Sequence, residues 1–215
     1  MSVAAEIGQK IYYKSFEHLA SDIDKRIQNS NIAMETHYTT RAMLYLLWSG
    51  FTIDEIIDVE KSWVRNEGVY DPSSGIVHEL PEEGVEFLRK YANTQILSMI
   101  GDEKEYLLRT RLTSHMTKAT MHRAISKFNI VCDYPTSLKL SDAYESGLFY
   151  RVWQKQKSGL EFPVYRRNHQ LTDEGLAFYE QLFERSFPRR FTITEFMRRY
   201  QYFVDKFYKE ESTTM

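Results

Sequence analysis

Residues Thr39–Val59 read TTRAMLYLLWSGFTIDEIIDV, and this stretch decides the fold class. Arg41 to Trp48 is a nearly unbroken apolar run, too short to cross a membrane and long enough to be a buried helix. Gly50 stops it, because glycine accepts the left-handed backbone angles of a helix C-terminus. Thr52 then occupies an N-cap position with Glu55 three residues on, the spacing of a capping box. Ile53, Ile56, Ile57 and Val59 offer the apolar face of a second helix. The expectation is helix, tight turn, helix, with both helices buried.

Working outward, the 215-residue chain is long enough for one core or two small ones. Its 42% hydrophobic and 27% charged residues are ordinary for a globular protein. No apolar run has the length of a membrane span, and the N-terminal MSVAAEIGQKIYY lacks the apolar segment of a signal peptide. The single cysteine, Cys132, excludes an internal disulfide and suits a reducing cytoplasm. No Cys/His cluster has zinc spacing, and no phosphate-binding glycine loop, zincin motif or nucleophile elbow occurs. The expectation is therefore no metal and no cofactor. The net charge of −2 is unevenly spread. Residues 1–107 carry 10 Lys/Arg against 18 Asp/Glu, a net of −8, and residues 108–215 carry 18 against 12, a net of +6. That asymmetry points to a basic face for a polyanion.

Before the hairpin, residues 4–29 place Ile7, Ile11, Leu19, Ile23 and Ile27 at helical spacing, which predicts an amphipathic helix. Residues 1–38 are thus an N-terminal helix and linker, and residues 39–215 the main domain. After the hairpin, Ser62 to Leu80 is rich in strand formers and holds two turn clusters, Asn66–Gly68 and Asp71–Gly75, predicting a sheet of two or three strands. His78 reads as a strand-edge residue. Pro81 to Tyr91 is a helix with Pro and acids at its start. Thr117 caps a helix through Phe128, with Ala119, Met121, Ala124, Ile125 and Phe128 for its buried side. Leu138 to Trp153 is another helix, Gln154 to His169 a loop, and Leu171 to Phe187 a helix capped by Thr172. Pro188 to Tyr208 opens on the box Thr192–Glu195 and carries Phe196, Tyr200, Phe203, Val204 and Phe207 on one face. The class is α+β, mainly α with a small β-sheet.

This order resembles the catalytic domain of the tyrosine recombinases (phage integrases), which opens on a helix, a Gly-Leu-Arg turn and a helix beginning Ile-Ser-Glu-Leu. The corresponding residues are Ser49 to Ile56, with Thr52 where the family has its first catalytic arginine. The small sheet and the Pro81–Tyr91 helix follow in the family's order, but no lysine lies between Trp63 and Arg89 where the sheet carries a catalytic one. The box His-x-x-Arg corresponds to Ser141 and Tyr144, and the nucleophilic tyrosine to Tyr200, with Tyr202 as the alternative. His115-Met-Thr-Lys118 imitates that box one helix too early.

Recombinases attack a phosphodiester with tyrosine and stabilise the charge on phosphorus with two arginines and assisting Lys and His donors. Loss of one such donor commonly costs about 3–4 kcal/mol of transition-state stabilisation. The resemblance therefore implies a fold that binds double-stranded DNA without cutting it, like recombinase-derived repressors of temperate phages, working in a bacterial cytoplasm and not on a membrane. Candidate contacts are Arg109, Arg111, His115, Lys118, Arg123 and Lys127, followed by the pairs Arg166/Arg167, Arg189/Arg190 and Arg198/Arg199. Recombinases also clamp DNA with an N-terminal domain of about a hundred residues, whereas fewer than forty precede this hairpin, so the chain is expected to grip from one side or to pair with itself or a regulatory protein. A protein-interaction adaptor on the same fold, and an active recombinase with rearranged catalytic residues, are the alternatives.

Overall fold

A computed structural model of the chain describes residues 10–28, 30–93, 105–109, 116–158, 166–167, 170–171 and 193–209. The elements in order are α1 (Phe16–Gln28), α2 (Met34–Ser49), a 3-10 turn (Lys61–Trp63), β1 (Gly68–Asp71), β2 (Ile76–Glu79), α3 (Glu82–Asn93), α4 (Lys118–Cys132), α5 (Leu140–Lys157), β3 (Arg166–Arg167), β4 (Gln170–Leu171) and α6 (Ile193–Phe207). The mainly helical α+β class is as expected. The chain divides into two units, Lys10–Leu148 and Phe149–Met215 with Met1–Gln9. Their boundary falls inside α5.

In the first unit α2 is the axis. Every residue from Thr39 to Ser49 is buried, as a helix that is apolar all round must be, and α1, α3, α4 and β1 pack on it. Its end is a Schellman motif. Gly50 takes φ 113°, its N–H donates to Leu47 O at 3.1 Å, and the Phe51 N–H donates to Leu46 O at 3.3 Å. The capping box also forms, with the Thr52 N–H donating to Glu55 Oε2 at 2.6 Å and the Glu55 N–H to Thr52 Oγ1 at 3.3 Å. The second helix does not follow. Residues 53–57 make turns only, although Ile56 and Val59 are buried as expected. The chain is drawn away into a bridge, in which the Leu107 N–H donates to Val59 O at 2.7 Å and the Lys61 N–H to Glu105 O at 2.9 Å.

The sheet is a two-stranded antiparallel hairpin, β1 with β2, pairing Val69 with His78 and Tyr70 with Val77, and a single bridge joins Val64 to Val69. Its turn is tied by Asp71, whose carboxylate accepts from the Ser73 N–H at 2.9 Å and from the Ser73 and Ser74 hydroxyls, each at 2.7 Å. Burial pushes this carboxyl up, but those donors outweigh it and hold it below the usual value. The N-terminal helix is shorter than expected. Among the described residues it begins at Phe16, and Lys10–Ser15 are not helical because their backbone bonds elsewhere: the Ile11 N–H goes to Asp142 Oδ2 at 3.2 Å and the Tyr13 N–H to Ser146 Oγ at 3.0 Å.

Thr117 caps α4 as expected, accepting the Thr120 N–H at 3.2 Å. The helix runs one turn past Phe128 to Cys132 and buries Met121, Ile125 and Phe128; Ala119, expected inside, is exposed, and Ala124 is half-buried. Helix α5 runs to Lys157, past the expected end at Trp153.

Among the described residues of the second unit, Phe149 on α5 meets the rings of Phe196, Tyr200 and Phe203 on α6 at 5.6, 6.0 and 5.7 Å, and Trp153 stacks on Tyr208 at 3.7 Å. The expected aromatic stripe is therefore core. Arg166 and Arg167 form a short strand with Leu171 and Gln170 where a loop was expected. The rest of the helix expected over Leu171–Phe187, and the Thr192 cap, lie outside the described residues.

Candidate nucleic-acid interface

Exposed positions on α4 recur with the helical period opposite Met121, Ile125 and Phe128. They hold Lys118, His122, Arg123, Ser126 and Lys127, together with Ala119, Ile130 and Val131, so the basic side chains all lie on the solvent side of the helix, spread across it. Lys118 forms an exposed ion pair with Asp54, in the turn after α2. Arg109 is half-buried, and the neighbouring Leu108 O accepts the Met116 N–H at 3.0 Å, which sets Arg109 beside the start of the helix. His122 belongs to this face and was missed by sequence reasoning. Its signal was the i, i+4 spacing from Lys118.

The remaining candidates do not join this face as a group. Arg111, His115, Arg189 and Arg190 lie outside the described residues, and only the backbone of Arg166 and Arg167 is described. Arg198 on α6 is exposed, whereas Arg199 is 8% exposed. Consecutive helical residues point about 100° apart, so Arg199 falls on the buried stripe and the pair does not act as one surface cation cluster.

The positions matched to recombinase chemistry lie in closely fitted surroundings. Thr52 is committed to its capping box. His78 lies inside rather than at an exposed strand edge: its ring is 3.9 Å from that of Phe51, and Nδ1 is 3.3 Å from Ser49 O. On α5, Gly147 meets α2, where a Cβ would lie 2.1 Å from Trp48 O. The turn bearing Thr52 thus follows directly on an α2 terminus that touches the helix bearing Ser141 and Tyr144. Ser141 is half-buried and donates to Asp142 Oδ1 at 3.2 Å, and Tyr144 is buried. In the second unit the buried Tyr200 hydroxyl donates to Gln156 Oε1 at 2.6 Å, and burial pushes its phenol well above the usual value.

Sequence reasoning also missed three buried polar residues of α5, Asp142, Glu145 and Ser146. They hold the extended Lys10–Tyr13 segment through the Ile11 and Tyr13 amides, a Lys10–Glu145 ion pair and a Tyr12 hydroxyl bond to Glu145 at 3.2 Å. Burial pushes the Asp142 carboxyl up, against the pull of the Ile11 N–H and Lys10. No local signal marks them, because the segment they hold is more than 130 residues away in the chain.

Among the described residues no group of three His, Cys, Asp or Glu could hold a metal ion, and no helix is long and apolar enough to cross a membrane. No family model matches the chain, and no curated protein matches it in sequence.

Proposed function

We propose that this chain is a DNA-binding regulator of phage or mobile-element origin, built on a tyrosine-recombinase-like fold that lacks the catalytic cage. The observation that carries the reading is the exposed side of α4, which bears Lys118, His122, Arg123 and Lys127 opposite an apolar buried side. Arg and Lys on such a face neutralise phosphates and release counterions, and the helix is the right width for a major groove. The positions that would do chemistry support the same reading. Thr52 and Ser141 carry no charge, Tyr144 is buried, and the Tyr200 phenol is held by Gln156 among rings. None of these four side chains brings the positive charge that would stabilise a pentacoordinate phosphorus.

The test is a combined mobility-shift and cleavage assay on labelled DNA fragments at two salt concentrations. The reading expects shifted, intact DNA, with affinity that falls as salt rises. Arg123→Glu weakens binding and flattens the salt dependence, the log–log slope falling by roughly one for each phosphate that is no longer neutralised. No shift at either salt would replace this reading with the protein-interaction adaptor. A covalent adduct would replace it with an active recombinase.

A further inference from the structure

Helix α4 contains no acidic residue, and its cations are regularly placed. Successive side chains turn by about 100°, so with Lys118 at zero Lys127 lies at about 180°, on the opposite flank. Midway between them, at about 80°, 100° and 120°, lie Ser126, Ala119 and Ile130, with His122 at about 40° and Arg123 at about 140°. All of these are exposed, whereas the buried Met121, Ile125 and Phe128 fall within about 60° of arc on the other side. The helix thus stands proud of the first unit on a narrow apolar stripe. Its solvent side has a lysine on each flank and a midline without charge. Ile130 lies on that midline and is 77% exposed.

Resting on the DNA-binding reading, we propose that α4 lies in the major groove with this midline on the base edges, and that Ile130 is a specificity-determining residue that reads a thymine methyl group. The groove is about 12 Å wide and a helix with its side chains about 10–12 Å, so the two flanks of α4 meet the two sugar-phosphate walls. Lys118 and Lys127 then neutralise phosphates of opposite strands. The exposed pair of Lys118 with Asp54 is exchanged for a phosphate at small cost, because such pairs hold weakly in water. On the groove floor the thymine methyl is the apolar group that the base edges present, and Ile130 is the large apolar side chain on the line that faces it. Arg123 lies seven residues before Ile130 and within about 20° of it, so it follows the same line. Its guanidinium fork matches guanine O6 and N7. Seven residues span about 10.5 Å and base pairs stand about 3.4 Å apart, which sets the thymine about three base pairs from that guanine.

The probe is a pool of random-sequence duplexes, enriched by mobility shift with the full wild-type chain. The enriched duplex is then remade with uracil, which lacks the methyl group, in place of each thymine in turn. The wild type is expected to lose about fourfold in affinity at one thymine, the share of one buried methyl group. Ile130→Ala is expected to bind the thymine duplex at least about fourfold more weakly, and to lose nothing further when that thymine becomes uracil. Its salt dependence is expected to match the wild type, since no phosphate contact is removed. Lys127→Ala is expected to do the reverse, weakening all sequences alike and lowering the log–log salt slope by roughly one. Both side chains are exposed, so both variants are expected to keep the wild-type circular dichroism spectrum. No shift of the pool at low salt removes the DNA-binding reading and this inference with it. A salt-dependent shift without an enriched sequence, or an enriched duplex indifferent to uracil, leaves the DNA-binding reading standing and overturns the thymine contact. So does a uracil effect that Ile130→Ala retains in full. A free protein whose mass in solution is halved by Ile130→Ala gives this side chain to a second copy and overturns the inference.

Discussion

Helix interiors normally gain about 1 kcal/mol when glycine becomes alanine. Gly147 reverses that sign. A Cβ there would stand 2.1 Å from the backbone oxygen of Trp48, and a backbone carbonyl at a helix contact cannot swing aside. Gly147→Ala is therefore expected to destabilise the first unit by about 2–3 kcal/mol, as forced overpacking does, measured as a lowered denaturant midpoint at unchanged slope. His37 gives the pH dependence at the same scale. Burial, with Arg41 beside it and against the pull of Asp24, lowers its pKa from 6.5 to about 4. The unfolded chain then binds the proton more readily than the folded one, so this contribution is complete above about pH 6.5 and is lost as pH falls towards 4. Asp142, whose carboxyl is pushed up, acts in the opposite sense, so the test must isolate His37. The fall in Tm between pH 7.5 and 5 is expected to be larger in the wild type than in His37→Gln. Equal falls would remove His37 from the account.

At the scale of elements, α5 does two jobs on two faces. Gly147 lets it approach α2, while Asp142, Glu145 and Ser146 receive a piece of chain that is neither helix nor strand. Glu145 and Lys10 have only 3% and 12% of their side chains exposed, so removing one partner strands the other charge in the interior. Glu145→Ala is expected to cost about 3 kcal/mol. Replacing both residues by apolar ones is expected to cost clearly less than the two single changes together, in a double-mutant cycle of unfolding free energies. This clasp was not legible in the sequence. Ile7, Ile11, Phe16 and Leu19 carry a helical period, and nothing local reports that distant side chains will take the Ile11 and Tyr13 amides. The same physics ended the expected second helix of the hairpin. Its capping box is local and formed as the residues predict, but the bridge from Val59–Lys61 to Glu105–Leu107 is long-range and prevailed. Caps, turns and the buried Thr39–Ser49 run of α2 were readable because each depends on a few adjacent residues. His78 was misread because its strand has another face, against Phe51, that only the fold supplies.

For the whole molecule, the proposed function requires holding DNA without reacting with it, and Tyr200 is where that distinction can be tested. The aromatic spacing of α6 announced a buried stripe, and the structure puts Tyr200 within it, 3% exposed and stacked on Phe196 with ring centres 6.0 Å apart. As a nucleophile it would need to leave Gln156, reach solvent and ionise, although burial favours its neutral form. The fold uses the residue as core with a satisfied hydroxyl. Tyr200→Phe removes only that hydroxyl, which leaves Gln156 near the surface, where water replaces the missing bond. The variant is expected to lose no more than about 1–1.5 kcal/mol of stability. It is also expected to shift the same DNA fragments at the same concentrations as the wild type. On a nicked fragment that traps covalent intermediates, neither protein is expected to leave an adduct on a denaturing gel. A trapped adduct with the wild type that is absent with Tyr200→Phe would show that this tyrosine leaves the core to act. The basic side of α4 would then belong to an enzyme.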